Sequence, residues 1–221
     1  MATEETRASK QAPVAEAAKR RGRPRSFDRD TALEQAVRSF WELGYEATSI
    51  SDLTRAMGIS APSLYAAFGD KRALFDEVVA VYKQHYGGFL HRALAEEPTA
   101  RQGVERGLRE AATEYTLPGR PRGCLVVSAA LNISPASLEV ADSLREMRRA
   151  TVRQIAGAIR ADIASGELPG DTAADALAGY IGAVIHGMSQ QARDGAQRTE
   201  LEAVAELALK VWPGPAGGTA R

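Results

Sequence analysis

Among the polar side chains between residues 48 and 71, Thr48, Ser49, Ser60, Ser63, Tyr65 and Lys71 combine the chemistry to meet a phosphate or a base edge with a place at a helix start or on an outward face. Hydroxyls and an ammonium at helix starts suit phosphate, because a helix N-terminus offers unpaired N–H groups and the positive end of its dipole. Their spacing calls for two short helices. Ser49 can cap the first, and Asp52 three residues on completes a capping box. Ile50, Leu53 and Met57 then share one face, and Gly58 can take the backbone angles that stop a helix sharply. Ser60 restarts the chain as the next N-cap, with Pro62 in the first turn, where a missing N–H does no harm. Leu64 and Phe68 point inward, which leaves Ser60, Ala61, Ser63, Tyr65 and Ala66 outside. A short exposed helix on a packed support is what a DNA major groove admits. A purely structural helical hairpin is the plain alternative. Caps, spacing and the basic segment upstream together argue against it.

That segment is KRRGRPR, residues 19–25, with five basic residues and no acid. Net charge over the chain is zero, so the clustering is the footprint of a nucleic-acid partner. Arg21-Gly22-Arg23-Pro24 resembles the core of an AT-hook, in which arginines enter a narrow A·T minor groove. The bland reading is a solvated basic tail, and the sequence leaves both open.

At 221 residues and 44% hydrophobic content the chain is an ordinary globular one. Cys124 is the single cysteine, so no intrachain disulfide can form, in keeping with a reducing cytoplasm. The first 25 residues lack the apolar stretch of a secretory signal, and the uncharged runs 123–138 and 176–192 fall short of a bilayer span. A cytoplasmic protein with no membrane partner is therefore expected. Three scattered histidines form no metal cluster, and no catalytic triad, phosphate loop or cofactor motif is present, so neither metal, cofactor nor enzyme activity is expected.

The expected fold is all-α, with about nine helices. Residues 1–25 read as a disordered basic arm, 26–72 as a three-helix DNA-binding domain, 73–213 as a helical effector-binding and dimerisation domain, and 214–221 as a flexible tail. Asp28 or Asp30 caps a first helix whose Leu33, Ala36, Val37, Phe40 and Trp41 form one stripe. Asp70 caps a long helix reaching about residue 94, with Leu74, Phe75, Val78, Val81, Tyr82, His85 and Phe89 on one face. Further helices are predicted over 100–117, from Ser134-Pro135 to about 165, from Asp171 or Thr172 to about 193, and over 198–212. The apolar run 123–133 fits a strand or a helix by pattern; its all-helical setting favours a buried helix.

The stripe ALEQAVRSFWELGYEATSI followed by SDLTRAMGISAPSLYAAFGDKRALFDEVV resembles the TetR family of bacterial transcriptional regulators. Gly44-Tyr45, Thr48-Ser49, Gly58-Ile59-Ser60, Leu64-Tyr65, Phe68 and Lys71 carry the likeness over residues 28–82. The resemblance implies a homodimer on an operator, with a small-molecule effector bound in the larger helical domain. It agrees with local geometry in assigning Thr48, Ser49, Tyr65 and Lys71 to phosphate or sugar, and Ser60, Ala61, Pro62 and Ser63 to base edges. Many relatives carry a long donor on this helix. Ala61, Pro62, Ala66 and Ala67 offer none, so readout should lean on thymine methyls, serine hydroxyls and DNA shape.

Tyr82, Tyr86, Phe89, Tyr115, Cys124, Met147 and His186 are candidates to line an effector pocket, and each could equally be plain core. Cys124 reads as a buried apolar residue, a pocket residue or a sensing thiol whose pKa is lowered by a helix N-terminus and by Arg120 and Arg122. A dimer interface is expected from Tyr180, Ile181, Val184, Ile185 and Met188, joined by Leu201, Val204, Ala208 and Trp212, unless those stripes pack inside the monomer. The rival readings are an architectural DNA binder without a switch and a thiol-based sensor. If the arm contacts phosphates, deleting residues 1–25 flattens the salt dependence of DNA binding; an unchanged slope dismisses it.

Overall fold

Local cap chemistry sets the first third of the chain. The computed structural model describes residues 27–214, so Arg21 and Arg23 lie outside the described residues. Helix α1 (Arg29–Leu43) starts at Asp28, whose carboxylate accepts from the Thr31 N–H, and ends at Gly44. Helix α2 (Ile50–Met57) carries the full Ser49/Asp52 capping box and stops at Gly58 in the left-handed region. Helix α3 (Ala61–Phe68) is capped by Ser60, and α4 (Lys71–His85) by Asp70. These caps sit where the residue types put them.

Next come α5 (Phe89–Glu96), α6 (Ala100–Glu114), the single turn α7 (Leu125–Ser128), α8 (Leu138–Ser165), α9 (Ala174–Arg193) and α10 (Arg198–Ala208). The described residues thus hold ten α-helices and no strand, against the nine or so expected. The extra one arises because the helix expected to reach 94 breaks after His85. The N–H groups of Tyr86 and Gly87 both turn back to the Tyr82 carbonyl. Gly87 is needed there, since a Cβ would lie 2.6 Å from the Tyr82 ring. His85 consequently faces solvent instead of the core.

Three other boundaries shift. Only Leu125–Ser128 of the apolar run is helical. Helix α8 begins after a 3-10 turn at Pro135–Ser137. Helix α9 starts at Ala174 with no side-chain cap, because Thr172 is held in a turn closed on the Pro169 carbonyl.

Two apolar cores result. One gathers Phe40, Trp41, Leu53, Leu64, Phe75 and Tyr82 with Leu125, Ala129, Val140 and Leu144. The other lies among α5, α6, α9, α10 and the C-terminal half of α8. Helix α8 serves both. The first core thus draws residues from well beyond position 72, where sequence reasoning placed a domain edge. Asp162 on α8 is buried and accepts the Ala100 N–H at 2.8 Å, which caps α6 from a neighbouring helix.

Five hydrogen bonds tie α1 and the turn after it to the second half. Arg38 donates to the Gly119 carbonyl at 2.7 Å, and the Trp41 indole to the Gly123 carbonyl at 3.1 Å. Arg193 donates to the carbonyls of Trp41 and Glu42 at 3.1 and 3.0 Å, capping the negative end of α1. The Tyr45 N–H donates to the Ala129 carbonyl at 2.8 Å. Gly123 itself has φ +74, and a Cβ there would sit 2.6 Å from the Ser189 carbonyl oxygen. Gly123→Ala should therefore lower unfolding free energy by more than about 1 kcal/mol, measured by denaturant titration. A change within error would show that α9 yields easily at this point.

Candidate nucleic-acid interface and cavity

Helix α3 turns Leu64 and Phe68 into the core and presents Ser60, Pro62, Tyr65 and Ala66 to solvent. Tyr65 is half exposed, at 50%. Ala61 and Ser63 are partly covered. The Ser60 and Ser63 hydroxyls lie 2.9 Å apart, while the Ser63 N–H donates to the Ser60 hydroxyl. The face is small, smooth and hydroxyl-bearing, without a long donor. It can offer methyl contacts and single hydrogen bonds to base edges.

Three of the expected phosphate contacts are placed differently. Thr48 is fully buried, and its hydroxyl donates to the Gly44 carbonyl at 2.6 Å, so it closes the α1–α2 turn instead of facing outward. The Ser49 hydroxyl donates to the Asp52 carboxylate at 2.6 Å. Asp52 is held below the usual carboxylate range by the Ser49 hydroxyl and N–H, so a negative charge stands beside Ser49. Lys71 lies over the Tyr45 ring at 4.4 Å, and desolvation lowers its pKa. Ser49 and Tyr65 are the members of that set left open to solvent.

Behind the head lies a cavity of about 420 Å³ between α4, α5, α7, α8 and α9. Tyr82, Phe89, Tyr115, Cys124, Met147 and His186 all line it. Tyr86 does not: its hydroxyl donates to Glu34 at 2.6 Å, and its ring packs on Trp41. Sequence reasoning passed over Arg148, Thr151 and Gln154, which also line the wall. The helical spacing from Met147 to Thr151 and Gln154 was the available signal.

Cys124 caps α7 and sits close to the Tyr82 and Tyr115 hydroxyls. Burial pushes its thiol up, against the lowering that the sensing reading requires. The expected helpers face elsewhere. Arg120 pairs with Glu114, and Arg122 donates to the Ala192 and Ala196 carbonyls at the end of α9. The same burial raises Tyr82 and Tyr115, so all three groups stay protonated near neutral pH.

Comparison with known proteins extends the likeness along the chain. Residues 32–78 match the sequence profile of bacterial regulatory proteins, tetR family. Residues 103–207 match the tetracyclin repressor-like C-terminal domain. The chain belongs to the TetR family. It is a helix-turn-helix transcriptional regulator. The HTH-type transcriptional repressor ComR of Escherichia coli K12 is 35% identical over 197 residues, covering 88% of this chain and 93% of ComR. BdcR, a repressor from the same strain, is 29% identical over 187 residues, 85% of this chain and 90% of BdcR. Among solved structures, a cysteine-substituted form of the regulator CifR bound to 26-bp operator DNA superposes with a TM-score of 0.83. It is 46% identical and covers 87% of this chain and all of that one.

Within this TetR-family chain the expected dimer surface is largely turned inward. Ile181, Ile185, Met188, Leu201, Ala208 and Trp212 are buried in the protomer's own core, and Val184 and Val204 are partly covered against it. Tyr180 alone of that set is exposed, at 39%. The outward faces carry Gly179, Ala183 and Ala203 with Leu207 and Val211. No described helix is long and apolar enough to cross a membrane. With the reading face this plain, Ser63→Ala should weaken binding to a selected operator by about fivefold and leave random DNA unaffected. Equal loss on both, in a gel-shift titration, would remove Ser63 from base readout.

Proposed function

We propose that this regulator is a repressor that binds a palindromic operator as a homodimer and leaves it when a small molecule fills the cavity. One observation supports this above the rest. Helix α4 starts at the end of the reading helix and carries Tyr82 into the cavity wall, so one rigid element touches both sites. The named roles of ComR and BdcR as repressors, and of CifR as an operator binder, point the same way.

The physical requirement is differential affinity. An effector shifts the population only if it prefers the state in which α4 has moved. Movement of α4 changes the spacing of two heads that must meet successive major grooves, roughly 34–36 Å apart. The heads then cannot both engage. On this reading the subunits meet through the outward faces of α9 and α10, where Gly179 and Ala183 permit close backbone approach and Leu207, 60% exposed, supplies apolar area.

A thiol switch at Cys124 is the second reading, supported by its position on the cavity wall. The upward shift of the thiol weighs against oxidation by peroxide, which needs a thiolate.

Selection of bound sequences from random DNA should recover an inverted repeat. Ala183→Glu should run as a folded monomer on size exclusion and lose about a hundredfold or more in affinity for that repeat. A folded monomer that binds the repeat as tightly as the parent chain would sink the dimer reading.

A further inference from the structure

Seven arginines in the described residues are partly covered, and six of them have strong partners. Arg29, Arg72, Arg106 and Arg120 pair with acids. Arg122 and Arg193 each hold two carbonyls at a helix end. Arg148 is the exception. It makes one hydrogen bond, at 2.7 Å to the Val126 carbonyl, and among the described residues no carboxylate lies within ion-pair distance. The charge it feels most is that of another cation, Arg145.

Arg148 also lines the cavity, where the other basic groups are Lys83, His91 and His186; the lining holds no aspartate or glutamate. Burial and the Arg148 charge lower the His186 pKa, so the imidazole is neutral near pH 7 and can donate a hydrogen bond without adding charge. The apolar side chains of the lining include Phe89, Leu90, Met147 and Ile185. A partly desolvated guanidinium with unused N–H groups beside an apolar chamber is a costly arrangement for an empty protein. It becomes favourable when an anion arrives.

We propose that the cavity takes a small amphipathic monocarboxylate, its acid group on the Arg148 guanidinium and its hydrocarbon part against Phe89, Leu90, Met147 and Ile185. The proposal rests on the reading of this cavity as the effector site. The planar fork of Arg148 matches two carboxylate oxygens. The volume suits a ligand of modest size, at the lower end of the 300–1,000 Å³ or so usual for small-molecule pockets.

Calorimetric titration of the full chain with octanoate and 4-phenylbutyrate, each beside its primary amide, tests this. At least one acid should bind about tenfold or more tightly than its amide. Arg148→Met should bring acid and amide to within about twofold with amide affinity unchanged, and Arg148→Lys should keep part of the preference. Should Arg148→Met fail to fold, Arg148→Gln and the parent comparison still decide. Equal or tighter amide binding, retention of the acid preference in the methionine variant, or no binding of any of the four probes overturns the proposal. Operator binding without ligand is measured in parallel. Its failure would count against the regulator reading and not against carboxylate recognition, whereas acid binding that leaves operator affinity unchanged would separate the cavity from the switch.

Discussion

The close approach of Gly123 to helix α9 is the constraint on which most of this architecture turns. With no side chain at that position, the backbone lies against the Ser189 carbonyl. That contact lets the Gly123 carbonyl accept the Trp41 indole N–H and lets the Cys124 N–H donate to the Ser189 hydroxyl. The next residues place Leu125 and Ala129 in the core of the reading head while Cys124, Val126 and Val127 face the cavity. A seven-residue stretch therefore faces both compartments at once. Any movement of its cavity side must be accommodated by the indole and by the Ala129 carbonyl that holds Tyr45. Packed interiors resist continuous deformation, so such a stretch tends toward discrete positions.

Much of the reading head was legible because its signals are local. The Ser49/Asp52 box, the left-handed turn at Gly58, the Ser60 cap and the Asp70 cap each depend on residues within four positions of one another. Such signals survive in a bare sequence. The orientation of Thr48 and Lys71 was not legible. Lys71 depends on a tertiary partner, the Tyr45 ring, whereas Thr48 bonds the Gly44 carbonyl four residues back, a local contact that no cap pattern marks. The Gly87-Gly88 break was present as a signal, but apolar periodicity continues through it to Phe89 and masks it.

The second half follows a different rule. Large apolar residues on α9 and α10 mark the side facing the protomer's own core, so a search for the most hydrophobic stripe finds the inside. The outward sides carry glycine, alanine and a few exposed large residues, a pattern visible only once the core side is known. For the same reason six of seven nominated cavity residues do line the cavity. Large side chains on inward faces gather wherever helices fail to close completely. Arg148 escaped notice because a single arginine in a helix with many others carries no mark in sequence. Its lack of an acidic partner is a property of three-dimensional placement.

Helix α8 bridges the two cores, which bears on how the chain can be divided. Its first turns, with Val140 and Leu144, complete the core of the reading head, and its later turns, with Ile155 and Ile159, belong to the other core. The core of the reading head thus extends past residue 72. A chimera cut there would strip the head of Leu125, Ala129, Val140 and Leu144 and expose the apolar surfaces they cover. Exchange of DNA specificity between such regulators is better made by resurfacing α3 in place than by swapping the domain.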